Sequence, residues 1–191
     1  MTIAVFLDRD GTLNVEKGYI RNVEDLELIP GVAQAVRRLN DAGFLAILAS
    51  NQTGAARGFY DVAHIDALHE RLAQLLQGQA GAHLDAVYYC PHLGKGVVPE
   101  LAVACTCRKP EPGMIQQAMA RFPEIEIEKS YMLGDKASDV AFGYNVGCQS
   151  ILLKTGYGER VLAGKYQVLE QQPHFVCADM PEAVELILSR V

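Results

Sequence analysis

The sequence predicts an α/β protein: one parallel sheet with helices on both faces. Three observations carry that expectation. Short apolar runs alternate with helical patterns along the chain. Some of the short runs are continuously apolar, as strands buried on both faces of a parallel sheet are. Polar residues suited to chemistry follow these runs directly, and the carboxyl ends of parallel strands are where open sheets place their ligands.

Taken in order, residues 3–7 read as the first strand. Residues 32–39 carry apolar side chains at helical spacing, with Gly43 as a stop. The unbroken apolar run 44–49 is a strand, and Val62, Ile65, Leu68, Leu72, Leu75 and Leu76 form the stripe of a long amphipathic helix. Residues 86–89, 131–133 and 150–153 are further strands, separated by helical stretches near 114–122 and 136–144. Residues 180–191 form a closing helix with Pro181 in its first turn. From Tyr157 onward the tail is expected to add a last strand and helix to the core. No repeat, low-complexity tract or linker is visible, so one domain is expected over residues 1–191.

Composition narrows the function classes. Half of the 191 residues are hydrophobic, and the net charge is −6, from 23 acidic against 17 basic residues. That balance opposes nucleic-acid or anionic-membrane binding, which wants a basic face. No apolar run reaches membrane-span length and no basic leader opens the chain, so a cytoplasmic protein is expected. A monomer without nucleic-acid or membrane partners is the accompanying expectation.

The polar residues after the strands form a constellation. Asp8 and Asp10 follow the first strand, and Ser50, Asn51, Gln52 and Thr53 the second. Cys90 and His92 follow the third, and Gly134, Asp135, Lys136 and Asp139 the fourth. Taken alone, Asp8-Arg9-Asp10-Gly11-Thr12 also fits a polar Asp-Gly turn, and Asp135 and Asp139 fit acidic residues opening a helix. Gathered at one sheet edge, the carboxylates call for a cation, and magnesium with its oxygen ligands is the natural one. An Asp can attack phosphorus, and a second carboxylate can protonate the leaving oxygen and then activate water. Ser50 and Lys109 would hold the phosphoryl oxygens, while Arg108 offers a fork for a second anionic group.

In their order along the chain, Asp8-Arg9-Asp10-Gly11-Thr12, Ser50-Asn51, Lys109-Pro110 and Gly134-Asp135-Lys136 with Asp139 resemble the four motifs of the haloacid dehalogenase (HAD) superfamily. The second Asp resembles that of its phosphatase branches. The resemblance implies a three-layer Rossmann-like core, Asp8 as nucleophile and Asp10 as acid/base. Ser50 and Lys109 would grip the phosphoryl group. Magnesium would be bound by the Asp8 carboxylate, the Asp10 carbonyl and Asp135, with Lys136 and Asp139 supporting these ligands.

Cys90 and His92, then Cys105 and Cys107 after an intervening loop, make a complete Cys3His set for tetrahedral zinc. All four positions are filled by protein, so the zinc is expected to be structural. It would fix the loop 90–107 that delivers Arg108 and Lys109. Cys148 and Cys177 read as small core residues. His64, His69, His83 and His174 show no partner pattern and are expected on the surface or on helix faces.

No segment between Asn14 and the second strand is long enough for a cap domain, so specificity should come from loops. A capless HAD branch with this zinc loop includes the heptose-1,7-bisphosphate 7-phosphatases and the histidinol-phosphate phosphatases. Residues 14–19, 51–58 and 108–114 resemble the heptose enzymes. The resemblance implies removal of the 7-phosphate through an aspartyl-phosphate, with Asn51, Gln52, Thr53, Arg57 and Arg108 lining the sugar-phosphate site. Histidinol phosphate or another small phosphosugar is the alternative substrate, and a non-catalytic phosphosugar-binding module the alternative outside enzymes.

Overall fold

The computed structural model describes residues 2–190. Its six strands are β1 (Ala4–Leu7), β2 (Leu45–Asn51), β3 (Ala86–Cys90), β4 (Tyr131–Gly134), β5 (Gln149–Leu153) and β6 (Phe175–Cys177). All pair in parallel, in the order β3-β2-β1-β4-β5-β6. The chain runs outward from β1 to β3 and then returns to the other side of β1. The switch therefore lies between β1 and β4, where a crevice opens beyond the carboxyl ends of the strands.

Helices cover both faces. Alternation along β1 sends Val5 and Leu7 into one apolar layer and Ala4 and Phe6 into the other. The first layer packs under α1 (Val32–Asp41), α2 (Val62–Ala80) and α6 (Met180–Leu188). The second packs under α3 (Gly113–Arg121) and α4 (Ala137–Val146). Local chemistry sets the helix ends. Asp61 accepts from the His64 N–H at 2.8 Å to start α2, and Gly81 closes it in the left-handed region. Asp179 caps α6 by accepting from the Glu182 N–H, with Pro181 in the first turn.

The strands and long helices lie where the sequence places them, with small shifts at their ends. β2 runs on through Ser50 and Asn51, so these residues sit on the last rungs of the sheet rather than after it. α4 begins at Ala137, with Lys136 just outside it. The tail supplies β6 and α6 as expected, and Val191, the expected end of the closing helix, lies outside the described residues. It also supplies a short helix, α5 (Gly158–Leu162), whose five residues are too few to show a period in the sequence. Between Asn14 and β2 there is only a 3-10 turn and α1, which leaves the crevice uncapped from that side. Among the described residues no helix is long and apolar enough to cross a membrane.

Ser130 ties the start of the central strand to the turn before β4. Its buried hydroxyl accepts from the Ala4 N–H at 3.0 Å and donates to the Glu126 carbonyl at 2.8 Å. Ser130→Ala leaves the buried Ala4 N–H without its partner, while the Glu126 carbonyl keeps the Lys129 N–H, and is expected to cost about 1–3 kcal/mol. Urea denaturation of the variant beside the parent protein measures it.

Candidate active site

The register of β1 against β4 brings the first two motifs together. Leu7 pairs with Leu133, and the Asp8 N–H donates to the Leu133 carbonyl at 2.9 Å. Asp8 and Asp135 thus leave adjacent central strands at the switch point. Asp8, Asp135 and Asp139 are all buried, and they offer carboxylate oxygens within 4.8 Å of one another. Gly134 permits this crowding, since a Cβ there would lie 2.2 Å from an Asp139 oxygen.

Two lysines answer the negative charge. Lys109, only 3% exposed, places Nζ 3.0 Å from Asp8 Oδ1 and 2.6 Å from Asp139 Oδ1. Lys136 Nζ lies 2.6 Å from Asp135 Oδ1, 3.1 Å from the Asp10 carbonyl and 3.4 Å from Asp8 Oδ2. The ammonium therefore sits where three oxygens converge, and they are the three that the sequence assigns to a metal. The donor set suits a hard cation by charge, by ligand type and by the convergence it already shows. Lys136, expected as a supporting residue, touches the nucleophile candidate directly.

Burial and charge pull the carboxyls apart. Burial would raise Asp8, but Lys109, Lys136 and the Ser50 hydroxyl outweigh it and hold Asp8 well below the usual carboxylate range. Burial dominates at Asp135, which is pushed up to about 7 despite Lys136, with Asp8 and Asp139 adding to the rise. Burial also raises Asp139, although Lys109 opposes it. Lys109 itself is raised, because Asp139 and Asp8 overcome the burial penalty on its charge. Asp8 is thus ionised and flanked by two cations.

Around this centre the remaining residues divide. Ser50 Oγ donates to Asp8 Oδ1 at 2.7 Å. Asp10 is held by Arg9, which donates through Nε and a terminal nitrogen at 3.0–3.2 Å. Asn14 and Gln52 donate to the same carboxylate at 3.0 and 2.9 Å. Gln52 donates to Ser50 as well. Asn51 exchanges two hydrogen bonds with the Lys109 backbone, at 2.9 and 3.1 Å. The Asn51 amide is therefore committed to the Lys109 backbone and the Gln52 nitrogen to Asp10 and Ser50, although both residues also border the cavity, as do Thr53, Arg57 and Arg108.

That cavity holds about 240 Å³. It is also lined by residues for which the sequence reading proposed no role: Tyr60, Ser138, Tyr157, Tyr166 and Gln167. Tyr60 packs over Gly54, where a Cβ would meet its ring at 2.1 Å. The rule that found the other motifs, applied to the carboxyl end of β5, would have pointed to residues 155–157.

The cysteine cluster assembles as expected. Cys90 ends β3 beside Asn51, its partner in the register. Its Sγ lies 3.5 Å from Cys105 Sγ and 3.6 Å from His92 Nδ1, while Cys107 Sγ lies 3.4 Å from Cys105 and 3.3 Å from His92. Four ligand atoms surrounding one point could hold a metal ion. The loop is also linked to the site through Arg108, which donates to the His92 carbonyl at 3.3 Å. Cys148 and Cys177 are buried as expected. His69 is not on the surface: it lies on the buried face of α2, 5.0 Å ring to ring from Tyr89. His174 accepts from the Ser150 N–H at 3.1 Å.

Comparison with known proteins gives one consistent answer. A family model described as HAD-hydrolase-like matches residues 106–183. The D-glycero-D-manno-heptose-1,7-bisphosphate 7-phosphatase of Thermosynechococcus vestitus is 53% identical over 191 residues, covering 98% of this chain and 96% of its own. The D-glycero-beta-D-manno-heptose-1,7-bisphosphate 7-phosphatase of Escherichia coli K12 is 42% identical over 155 residues, 80% of each chain. Among solved structures, the D,D-heptose 1,7-bisphosphate phosphatase of B. bronchiseptica, complexed with magnesium and phosphate, superposes with a TM-score of 0.86. It is 30% identical, with both chains fully covered.

The Lys109 pairing gives a stability prediction with a defined sign. Lys109→Met takes the ammonium from buried Asp139 and leaves Asp8 with Lys136 alone, and is expected to cost about 3–5 kcal/mol at pH 7. Without the ammonium, the folded-state pKa of Asp139, already raised by burial, rises further and that of Asp8 rises too. The folded state then binds more protons, so the penalty grows as pH rises and shrinks as pH falls. The deficit in urea should be smaller at pH 5 than at pH 7; an equal deficit at both would mean that lost packing, not charge, sets the cost.

Proposed function

Since the chain belongs to the family of heptose-1,7-bisphosphate 7-phosphatases, on a HAD-like hydrolase fold, we propose that it removes the 7-phosphate of D-glycero-manno-heptose 1,7-bisphosphate in a magnesium-dependent reaction. The observation that carries the chemistry is the ionised Asp8 at the switch point, with Ser50 and Lys109 both on its Oδ1.

In this reading an Asp8 carboxylate oxygen attacks phosphorus and the bond from phosphorus to the C7 oxygen breaks. Asp10 gives its proton to the departing oxygen. Asp10 then takes a proton from water, the water oxygen attacks phosphorus, and the bond to Asp8 breaks, releasing phosphate and restoring both carboxyl groups. Ser50 and Lys109 stand where the oxygens of a phosphoryl group at Asp8 would meet them, and so hold the charge of the transition state. Arg9, Asn14 and Gln52 fix the Asp10 side chain at the cavity rim. Asp8, the Asp10 carbonyl and Asp135 would hold magnesium, which when bound neutralises charge on the phosphoryl oxygens. Lys136 would then leave the position its ammonium occupies, and Asp139 keeps Lys109 in place. Thr53, Arg57 and Arg108 face the rest of the substrate; Asn51 and Gln52 serve it by fixing Lys109, Asp10 and Ser50.

Zinc is the metal proposed for Cys90, His92, Cys105 and Cys107. Zn–S bonds of ~2.3 Å and Zn–N bonds of ~2.0 Å give tetrahedron edges of roughly 3.5–3.8 Å. The observed separations of 3.3–3.6 Å are close to that size. The reading extends to one phosphatase domain over residues 1–191, acting as a cytoplasmic monomer on a small phosphorylated sugar, with no nucleic-acid or membrane partner. The net charge of −6 supports the last point.

Paired steady-state measurements with magnesium test the substrate. The expected kcat/KM for heptose 1,7-bisphosphate exceeds that for histidinol phosphate by at least about tenfold, the equivalent of 1.4 kcal/mol in transition-state binding. A preference for histidinol phosphate would overturn the heptose assignment and leave the chemistry standing. Asp8→Asn should reduce turnover of either ester to background, because no nucleophile remains.

Metal analysis tests the loop. Protein purified without added metal should carry about one equivalent of zinc. Replacing Cys105 and Cys107 with Ser should release it and lower kcat by about 10–100-fold, the usual cost of losing groups that orient a site. Full activity in a zinc-free variant would show that Arg108 and Lys109 do not depend on the metal.

A further inference from the structure

The segment after β5 is pinned to the reacting centre more tightly than a chain terminus needs. Thr155 Oγ1 donates to the Gly11 carbonyl at 2.6 Å, and the Tyr157 N–H donates to Asp135 Oδ2 at 2.8 Å. Gly156 lies between these anchors with φ +54°, and a Cβ there would sit 2.1 Å from Asp135 Oδ2 and 2.7 Å from the Gly11 Cα. Only glycine fits that approach. What the anchors deliver is a pair of tyrosines. The rings of Tyr157 and Tyr166 stack 4.2 Å apart at an interplanar angle of 5°, and Arg160 lies 5.5 Å from both ring centres.

The pair borders the same cavity as Asp8, and Tyr166 remains 43% exposed there. Gln167 borders it too, its side-chain oxygen 3.4 Å from the Ser138 N–H. The arginines that border this cavity, Arg57 and Arg108, come from the loops after β2 and β3, whereas the segment after β5 contributes Tyr157, Tyr166 and Gln167 without charge. Arg160 borders a neighbouring cavity instead. The guanidinium groups thus stand on the loops after β2 and β3, while the segment after β5 adds a stacked aromatic pair and an amide to the single rings of Tyr19 and Tyr60 that also border the cavity. Aromatic faces accept the C–H side of a polyol, and an amide both donates to and accepts from hydroxyl groups.

We infer that the Tyr157–Tyr166 stack, with Gln167, is a sugar-recognition wall that seats the carbon chain of the substrate while its phosphate rests at Asp8. The inference builds on the phosphatase reading above and adds the residues that select the ester. In a site without a cap domain, this wall does part of the work a cap would do. Its position depends on Asp135 and Gly11, so the specificity element and the metal-binding carboxylate form one rigid unit.

Steady-state kinetics of Tyr166→Ala with magnesium test it, using heptose 1,7-bisphosphate and acetyl phosphate, an ester analogue with no polyol chain. Removing the ring is expected to raise KM for the bisphosphate about fivefold, with kcat changed by less than about twofold, the pattern of lost uniform binding. The acetyl phosphate constants should not move, and Tyr166→Phe should restore the parent KM, because the ring face and not the hydroxyl is used. Equal losses on both substrates, or none on either, would overturn the wall. A parent enzyme that hydrolyses acetyl phosphate but not the bisphosphate would instead remove the substrate reading, and the wall with it.

Discussion

Three buried carboxylates within 4.8 Å of one another are the constraint around which this molecule is arranged. Two unit charges about 4 Å apart repel by roughly 4 kcal/mol at the effective dielectric of a protein site. Burial adds its own cost for each ion. Lys109 and Lys136 offset much of this, and each is brought by a different structural device. Lys109 comes on the loop that follows Cys107, with its backbone fixed by Asn51. Lys136 and Asp139 come from the start of α4, where Asp139 accepts from the Lys136 N–H. Lys136 also faces Glu16 at 3.6 Å, so two ammonium groups answer four carboxylates, and burial with the neighbouring carboxylates pushes Asp135 up to about 7. A site in this condition is built to take a cation.

The same constraint explains why so much of the site was legible in the sequence. Carboxylates at the ends of central parallel strands, with Ser50 and Lys109 in order behind them, have few uses besides phosphoryl chemistry. The β-α rhythm of the chain places them at one edge. The alternation of apolar runs gave the sheet for a related reason, since strands covered on both faces have little freedom in composition. The Cys3His set was legible because four ligand types are rarely assembled by accident.

What the sequence could not show was direction and commitment. Nothing in the order Gly134-Asp135-Lys136 says that the lysine side chain folds back onto Asp8 and the Asp10 carbonyl. Asn51 and Gln52 look like amides offered to a polyol, yet their hydrogen bonds are spent on Lys109, Asp10 and Ser50. His69 has no visible partner in sequence, and it is buried because its place on α2 falls on the inward face. There, burial first and then the nearby Arg9 charge press its pKa down to about 3. Tyr157 and Tyr166 were missed for a different reason. Tyr157 stands just before a short helix and Tyr166 on an irregular stretch after it, where no period marks a functional face.

The misses among the cavity residues bear on specificity. The phosphoryl-handling residues are fixed by reaction chemistry, so residue type and strand-end position identify them. Residues that touch the rest of a substrate answer only to its shape, and aromatic rings, amides and arginines meet that demand from many backbone settings. The segment after β5 shows how such variable residues still acquire precision. It is tethered by the Thr155 hydroxyl on the Gly11 carbonyl and the Tyr157 N–H on Asp135, so side chains beyond the tether can change while the frame holds. The loop that carries the Cys3His set follows the same logic on the other side, where Asn51 holds the Lys109 backbone and Arg108 donates to the His92 carbonyl. A small α/β core with no cap inserted before β2 thus keeps its buried charges at the strand ends and borders its cavity with pinned loops.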